Sequence, residues 1–145
     1  MSYKGFFKPK NPSKYKGDPT KIFYRSSWES RLMTYLDDHP NIIQWCSEEF
    51  SIPYRSPIDG RMHRYFPDFW VKKKIDERNV EIMVIEVKPR SQTIQPKIQR
   101  NLNRRYLNEV KTWGVNSAKW VAAESFCKDK NWKFMIFDEY SLGLK

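Results

Sequence analysis

The stretch YFPDFWVKKKIDERNVEIMVIEVKPR, residues 65–90, decides how this chain is read. Two runs with the composition of buried strands each hold an ionisable group where a core favours an apolar one: Asp68 between Phe66 and Trp70, then Glu86 and Lys88 at the end of IMVI. Side chains alternate along a strand, so Phe66, Asp68 and Trp70 are expected on one face, with Pro67, Phe69 and Val71 on the other. By the same alternation Ile82, Val84, Glu86 and Lys88 share a face, opposite Met83, Ile85 and Val87. A strand apolar on both faces is a central, covered one. Glu86 and Lys88 then fall where its apolar run stops and a site can open. The polar KKKIDERN reads as the turn between the two runs, so neighbouring strands are expected to hold Asp68 against Glu86, with Lys88 one side chain beyond.

Composition narrows what such a site serves. At 145 residues the chain has the length of one domain with a real core, and aromatic residues at 16% can fill it. Lys and Arg number 27 against 17 Asp and Glu, a net charge of +10 that favours a polyanionic partner, with nucleic acid the leading candidate. No apolar run approaches the roughly 20 residues that span a bilayer, and MSYKGFFKPKNPSKYKG lacks the apolar core of a signal peptide. The expectation is a cytosolic protein without a membrane partner. Cys46 and Cys127 form no CxxC, and His39 and His63 are scattered, so no zinc spacing is present and two buried, reduced thiols are expected.

Outward from the central stretch, residues 1–25 mix Lys, Pro, Gly and aromatics without period and read as an extended basic arm, ahead of a single domain over 26–145. The arm is either a solvated tail or a strap whose lysines meet phosphates and whose rings stack on bases. A helix is expected over SSWESRLMTYLDD, with Ser26 as N-cap, Glu29 at the capping-box position and His39-Pro40 as the stop. At 100° per residue Glu29 lies at the edge of an apolar sector made with Trp28, Leu32 and Tyr35, so it leans inward. IIQWCSEEFSIPY reads as one or two strands and SPIDG as a turn. A second helix is expected over KIQRNLNRRYLNEVKTWG, closed by Gly114, with Ile98, Leu102, Tyr106, Val110 and Trp113 as its apolar stripe. Lys97, Arg100, Arg104, Asn108 and Lys111 lie opposite, four cations without an acid. AKWVAAE and WKFMIFDEY read as closing strands, which gives an α/β chain with a mixed sheet.

Two carboxylates held together repel, and each costs several kcal/mol to desolvate unless a cation compensates. A divalent metal removes that cost, and oxygen ligands without Cys or His select a hard ion, Mg²⁺ with Mn²⁺ as substitute. The carbonyl of Val87 is placed as a further ligand. Lys88 then orients or deprotonates the attacking water and offsets charge on the phosphorus centre, the chemistry of phosphodiester hydrolysis. Simpler readings exist for each residue: a strand-end salt bridge for Glu86 and Lys88, backbone N–H partners for Asp68, a helix cap for Glu29. The metal site needs one placement where these need three independent coincidences.

At these residues a resemblance becomes specific. PDF at 67–69 followed by EVK at 86–88 resembles the PD-(D/E)xK nuclease superfamily. That likeness implies a restriction-endonuclease-like core, a mixed β-sheet flanked by helices, with Asp68 and Glu86 as metal ligands, Lys88 as the catalytic lysine and Glu29 as the acidic residue of the first core helix. YKG, PKNPSKYKGD, YRSSWE, PYRSPIDGR and RYFPDF further resemble the head-completion nucleases of T-even-type tailed phages. By that resemblance the protein is a Mg²⁺-dependent DNA endonuclease, with exonuclease action added. It would act in phage head completion before head–tail joining, in the host cytoplasm and then in the virion, with head or portal-vertex proteins as partners. Arg25, Arg64, Lys97, Arg100, Arg104 and Lys111 are the candidate DNA contacts. The rival is a non-catalytic DNA-binding or portal-docking head protein on a nuclease-derived scaffold; within the enzymes it is a junction resolvase or a transposon-end nuclease.

Overall fold

The computed structural model describes residues 4–141. The chain runs through β1 (Gly5–Phe7), β2 (Ile22–Tyr24), α1 (Ser27–Asp38), β3 (Ile42–Ser47), β4 (Ile52–Arg55), β5 (Met62–Tyr65), β6 (Phe69–Lys74), β7 (Val80–Val87), α2 (Arg104–Asp129) and β8 (Lys133–Phe137). Single 3₁₀ turns lie at Pro12–Lys14 and Arg90–Thr93. The main sheet has the order β3-β6-β7-β8; β3/β6 and β6/β7 are antiparallel and β7/β8 is parallel. A parallel neighbour needs a crossover, and α2 supplies it. The fold is therefore α/β with a mixed sheet flanked by helices, as the residue pattern implies.

β7 has the central position its two apolar faces require: Val84 and Ile85 are buried on opposite sides, between β6 and β8. Together with Trp45, Phe69, Val71, Leu32, Met33 and Leu36 they form the main core. Full burial of each such side chain contributes roughly 1.5–3 kcal/mol. A second apolar cluster, Ile52, Tyr54, Tyr65, Trp120 and Ala123, fixes the β4/β5 hairpin on α2. Ser26 caps α1 as expected, its hydroxyl accepting from Glu29 N.

Three expectations are corrected. RYFPDFWV is not one strand: β5 ends at Tyr65 and pairs with β4, while β6 starts at Phe69. Pro67, without an N–H, cannot continue a ladder, so Phe66 is exposed while Trp70 is buried and the two share no face. Second, no helix occupies 97–103 and no strand occupies 118–124; α2 is one helix of 26 residues. Asn103 is its N-cap, accepting from Tyr106 N, and the run through Ala118, Ala122, Ala123 and Glu124 is strongly helix-forming. Gly114 lies inside this helix, with Pro57 Cγ 3.7 Å from where a Cβ would stand, so it terminates nothing. The expected apolar stripe loses its first two members, which precede the helix: Ile98 is 92% and Leu102 63% exposed.

Third, residues 5–24, read from sequence as an extended arm, carry β1 and β2 and pack on the domain. Tyr15 and Ile22 enter the main core. The clamp is Asp37, 2% exposed at the end of α1, whose carboxylate accepts from Lys10 N at 2.8 Å and Asn11 N at 3.2 Å. In α1 it is this residue that turns inward, while Tyr35, expected in the apolar sector, is exposed. Lys14 Nζ closes the same helix end by donating to the carbonyls of Asp37 and His39. Asp37→Ala strands two backbone donors and is expected to cost about 1–3 kcal/mol. Limited proteolysis should then cut within residues 4–24 before the rest; an unchanged digestion pattern would mean that the segment is held by its apolar contacts alone.

Candidate active site

The site forms where the β6/β7 ladder runs out. The last antiparallel pair is Phe69 with Ile85, and beyond it Val87 N–H donates to Asp68 Oδ2 at 2.7 Å instead of to β6 backbone. The Asp68 carbonyl in turn accepts from Glu48 N at 3.2 Å, which ties in the end of β3. Glu48 has φ 54°, a left-handed backbone that few non-glycine residues adopt. Its carboxylate is held by Arg25, whose Nη1 forms an ion pair with Glu48 Oε2.

Glu29 joins from the first turn of α1. Its Oε1 accepts from Arg25 N at 3.2 Å, one residue earlier than the N-cap N–H that a capping box would use. One carboxylate oxygen from each of Glu29, Glu48 and Asp68 lies within 4.8 Å of the others. Glu86 stands beside this group with two partners of its own. It is 6% exposed; its Oε1 accepts from the Tyr65 hydroxyl, and its Oε2 lies 3.7 Å from Lys88 Nζ. Lys88 is anchored through its backbone, donating to Phe137 O at 2.9 Å.

Crowding of like charges sets the electrostatics. Burial pushes the Asp68 carboxyl well above the usual carboxylate range, and the charges of Glu86, Glu29 and Glu48 push it further, against the Val87 N–H. Burial likewise raises Glu86, opposed by the Tyr65 hydroxyl, Lys88 and Lys119. Glu29 is raised by burial, with Glu48 adding and the Arg25 N–H opposing. An all-oxygen donor set, desolvated and mutually repelling, fits a hard divalent cation such as Mg²⁺ or Mn²⁺.

Glu29, Asp68, Glu86 and Lys88 are thus brought together from one helix and two strand ends. Glu48 and Tyr65 are additions that sequence reading missed. Glu48 left a faint signal, an acid just past the end of β3 and two residues after its last apolar side chain, Cys46. The basic residues are dispersed. Arg25 is engaged with Glu48; Arg64 is exposed on β5; Lys97 and Arg100 precede α2; Arg104 and Lys111 are exposed on it. Because α2 begins at Arg104, only Arg104, Asn108 and Lys111 of the expected stripe share a helical face. His63 bonds Asp59 through Nε2 at 2.9 Å. Cys46 and Cys127 are buried and free, and burial lifts the Cys46 thiol to about 12.

A hairpin continued by a third strand, a crossover helix and a closing parallel strand, with acids and a lysine at the centre, is the architecture of a restriction-endonuclease-like nuclease. Residues 39–139 match the TnsA-like endonuclease N-terminal family, and the chain belongs to that family. Glu48, Asp68, Glu86 and Lys88 lie inside the matched segment, Arg25 and Glu29 before it. The chain is also 43% identical, over 146 aligned residues, to the head completion nuclease of Enterobacteria phage T4, an alignment covering 98% of this chain and 95% of that protein.

The raised Asp68 carboxyl has a testable sign. A carboxyl whose folded pKa exceeds its unfolded value adds stability that is complete below about pH 4 and is lost as pH rises through the folded value. Asp68→Asn keeps an acceptor for Val87 N–H and escapes that loss. In EDTA at pH 7–8 it should melt above the wild type by roughly 3–5 °C, an excess of about 1 kcal/mol that vanishes near pH 4. A lower Tm at neutral pH would show that the Asp68 charge stabilises the metal-free fold.

Proposed function

We propose that the chain is a divalent-metal-dependent deoxyribonuclease that hydrolyses phosphodiester bonds of DNA during phage head completion, before heads and tails join. The observation that carries this reading is the convergence of Glu29, Glu48, Asp68, Glu86 and Lys88 at the end of β7. Asp68 and Glu86 would hold the cation, with Glu29 and Glu48, whose carboxylate oxygens lie close to that of Asp68, as further donors. The carbonyl of Val87 is a further candidate: N–H and C=O of one strand residue project to the same side, and the Val87 N–H points at Asp68. Bound there, Mg²⁺ would supply charge neutralisation to a phosphate oxygen.

The protein groups divide the remaining work. Lys88 Nζ is within reach of Glu86 Oε2, so a water held between them has both a donor and an acceptor. Its charge also opposes the negative charge that grows on the phosphate oxygens as the water oxygen attacks phosphorus and the ester oxygen leaves. The exposed cations Arg64, Lys97, Arg100, Arg104 and Lys111 provide phosphate contacts for a duplex approaching the site. Head or portal-vertex proteins, the host cytoplasm and the finished virion are the setting that the likeness to the T4 protein supports.

Purified protein should degrade both linear and supercoiled plasmid with Mg²⁺ or Mn²⁺ and neither with EDTA. Lys88→Ala should lose at least about 10²-fold in rate while still binding DNA. Equal cleavage by this variant would remove the mechanism. If neither protein cuts and both bind, the chain is a DNA-binding head protein on a nuclease scaffold.

The basic surface is tested separately. Arg100→Glu with Arg104→Glu should weaken duplex binding and lower the slope of log K against log salt, by about 0.9 for each phosphate that is no longer neutralised. An unaltered slope would move the DNA surface elsewhere, to Arg64 and the lysines of residues 4–24.

A further inference from the structure

The β4/β5 hairpin pairs only with itself and lies outside the four-stranded sheet. Its inward residues Ile52, Tyr54 and Tyr65 are nonetheless fully packed, against Trp120 and Ala123 of α2. The last residue of that hairpin, Tyr65, is 4% exposed and directs its hydroxyl into the site, where it donates to Glu86 Oε1. Lys119 of α2 stands behind it, Nζ 5.7 Å from the Tyr65 ring and 5.9 Å from that of Tyr54. Three residues after Tyr65 the chain delivers Asp68.

We propose that Tyr65, braced by Lys119, is the positioning residue of Glu86, and that through it the β4/β5 hairpin sets which carboxylate oxygen faces the metal. The last torsion of the Glu86 side chain, χ3, decides which of its two oxygens faces which way. Tyr65 occupies Oε1, so Oε2, on the Lys88 side, is the oxygen left for the cation and the attacking water. A carboxylate without that bond rotates among several orientations, and the site must restrict it each time a cation binds. Hydrogen-bond partners behind a ligating carboxylate act in this way generally, and removing one typically lowers metal affinity or activity by 10–100-fold. The apolar cluster on α2 prevents the tyrosine from following the carboxylate, because ring and hairpin are packed as one body. This inference rests on the metal-dependent reading of the site given above.

The test is a titration of the full chain with Mn²⁺, following free Mn²⁺ by its electron paramagnetic resonance signal, for wild type, Tyr65→Phe and Lys119→Met. Duplex binding in EDTA and the far-ultraviolet circular dichroism spectrum serve as controls. Tyr65→Phe is expected to keep its fold and its DNA affinity, to raise the Mn²⁺ dissociation constant by about 10-fold or more, and to shift the Mn²⁺ midpoint of plasmid cleavage by the same factor. A purely structural tyrosine would change Tm and leave the Mn²⁺ constant where it was, and that result overturns the proposal. If the wild type itself takes up no Mn²⁺, the metal reading fails and the positioning role falls with it. Should Tyr65→Phe not fold, Lys119→Met decides, since it alters the brace from outside the cluster: a several-fold weaker Mn²⁺ affinity supports the role and an unchanged one ends it.

Discussion

Negative charge held out of water is the constraint around which this molecule is arranged. Glu29, Glu48, Asp68 and Glu86 are close enough for each to raise the energy of its neighbours' ionised form, in a place where solvent screens little. Each is met by at least one fixed donor or cation: the Val87 N–H for Asp68, Arg25 for Glu48, the Arg25 N–H for Glu29, Tyr65 and Lys88 for Glu86. Those partners do not cancel the cost of burial and mutual repulsion, which a cation would relieve and a stable core must avoid.

That cluster depends on register. Asp68 meets Val87 because Phe69 pairs with Ile85, and a slip of one residue in β6/β7 would send Glu86 to the opposite face of the sheet. The register is pinned by the close packing of Trp45, Phe69, Val71, Val84 and Ile85, whose differing shapes would no longer interlock after a one-residue shift. Core packing and the geometry of the acidic cluster are thus one specification. The second cluster extends it to the hairpin, so α2 both crosses from β7 to β8 and carries the platform beneath Tyr65.

What could be read from the residues follows from the range of the interactions. β7 was legible because Ile82–Ile85, a run apolar on both faces, has few alternatives, and the Ser26 cap because it is local. Asp68, Glu86 and Lys88 stood out as charges that interrupt apolar runs. The extent of α2 was not legible. AKWVAAE suits a short strand by apolar content, and only its continuity with the turns before and after, fixed by Trp120 and Ala123 packing on the hairpin, makes it helix. Residues 5–24 have no period because their docking uses backbone N–H groups on Asp37, a contact 26 and 27 residues away that leaves no trace in side-chain pattern. Glu48 was harder to find: an acid just past a strand is ordinary in sequence, and what sets the position apart, its left-handed backbone, shows only in the structure.

The parallel pairing of β7 with β8 has a consequence for the site. Lys88 is held by the carbonyl of Phe137, and the strand bearing Glu86 gains its second neighbour only when residues 133–137 are in place. Glu29, Glu48, Asp68, Glu86 and Lys88 all precede this strand in the chain, yet β7 is flanked on both sides only once it is in place. Docking of β8 is therefore a condition for the geometry of the acidic cluster, although β8 itself contributes no side chain to that cluster.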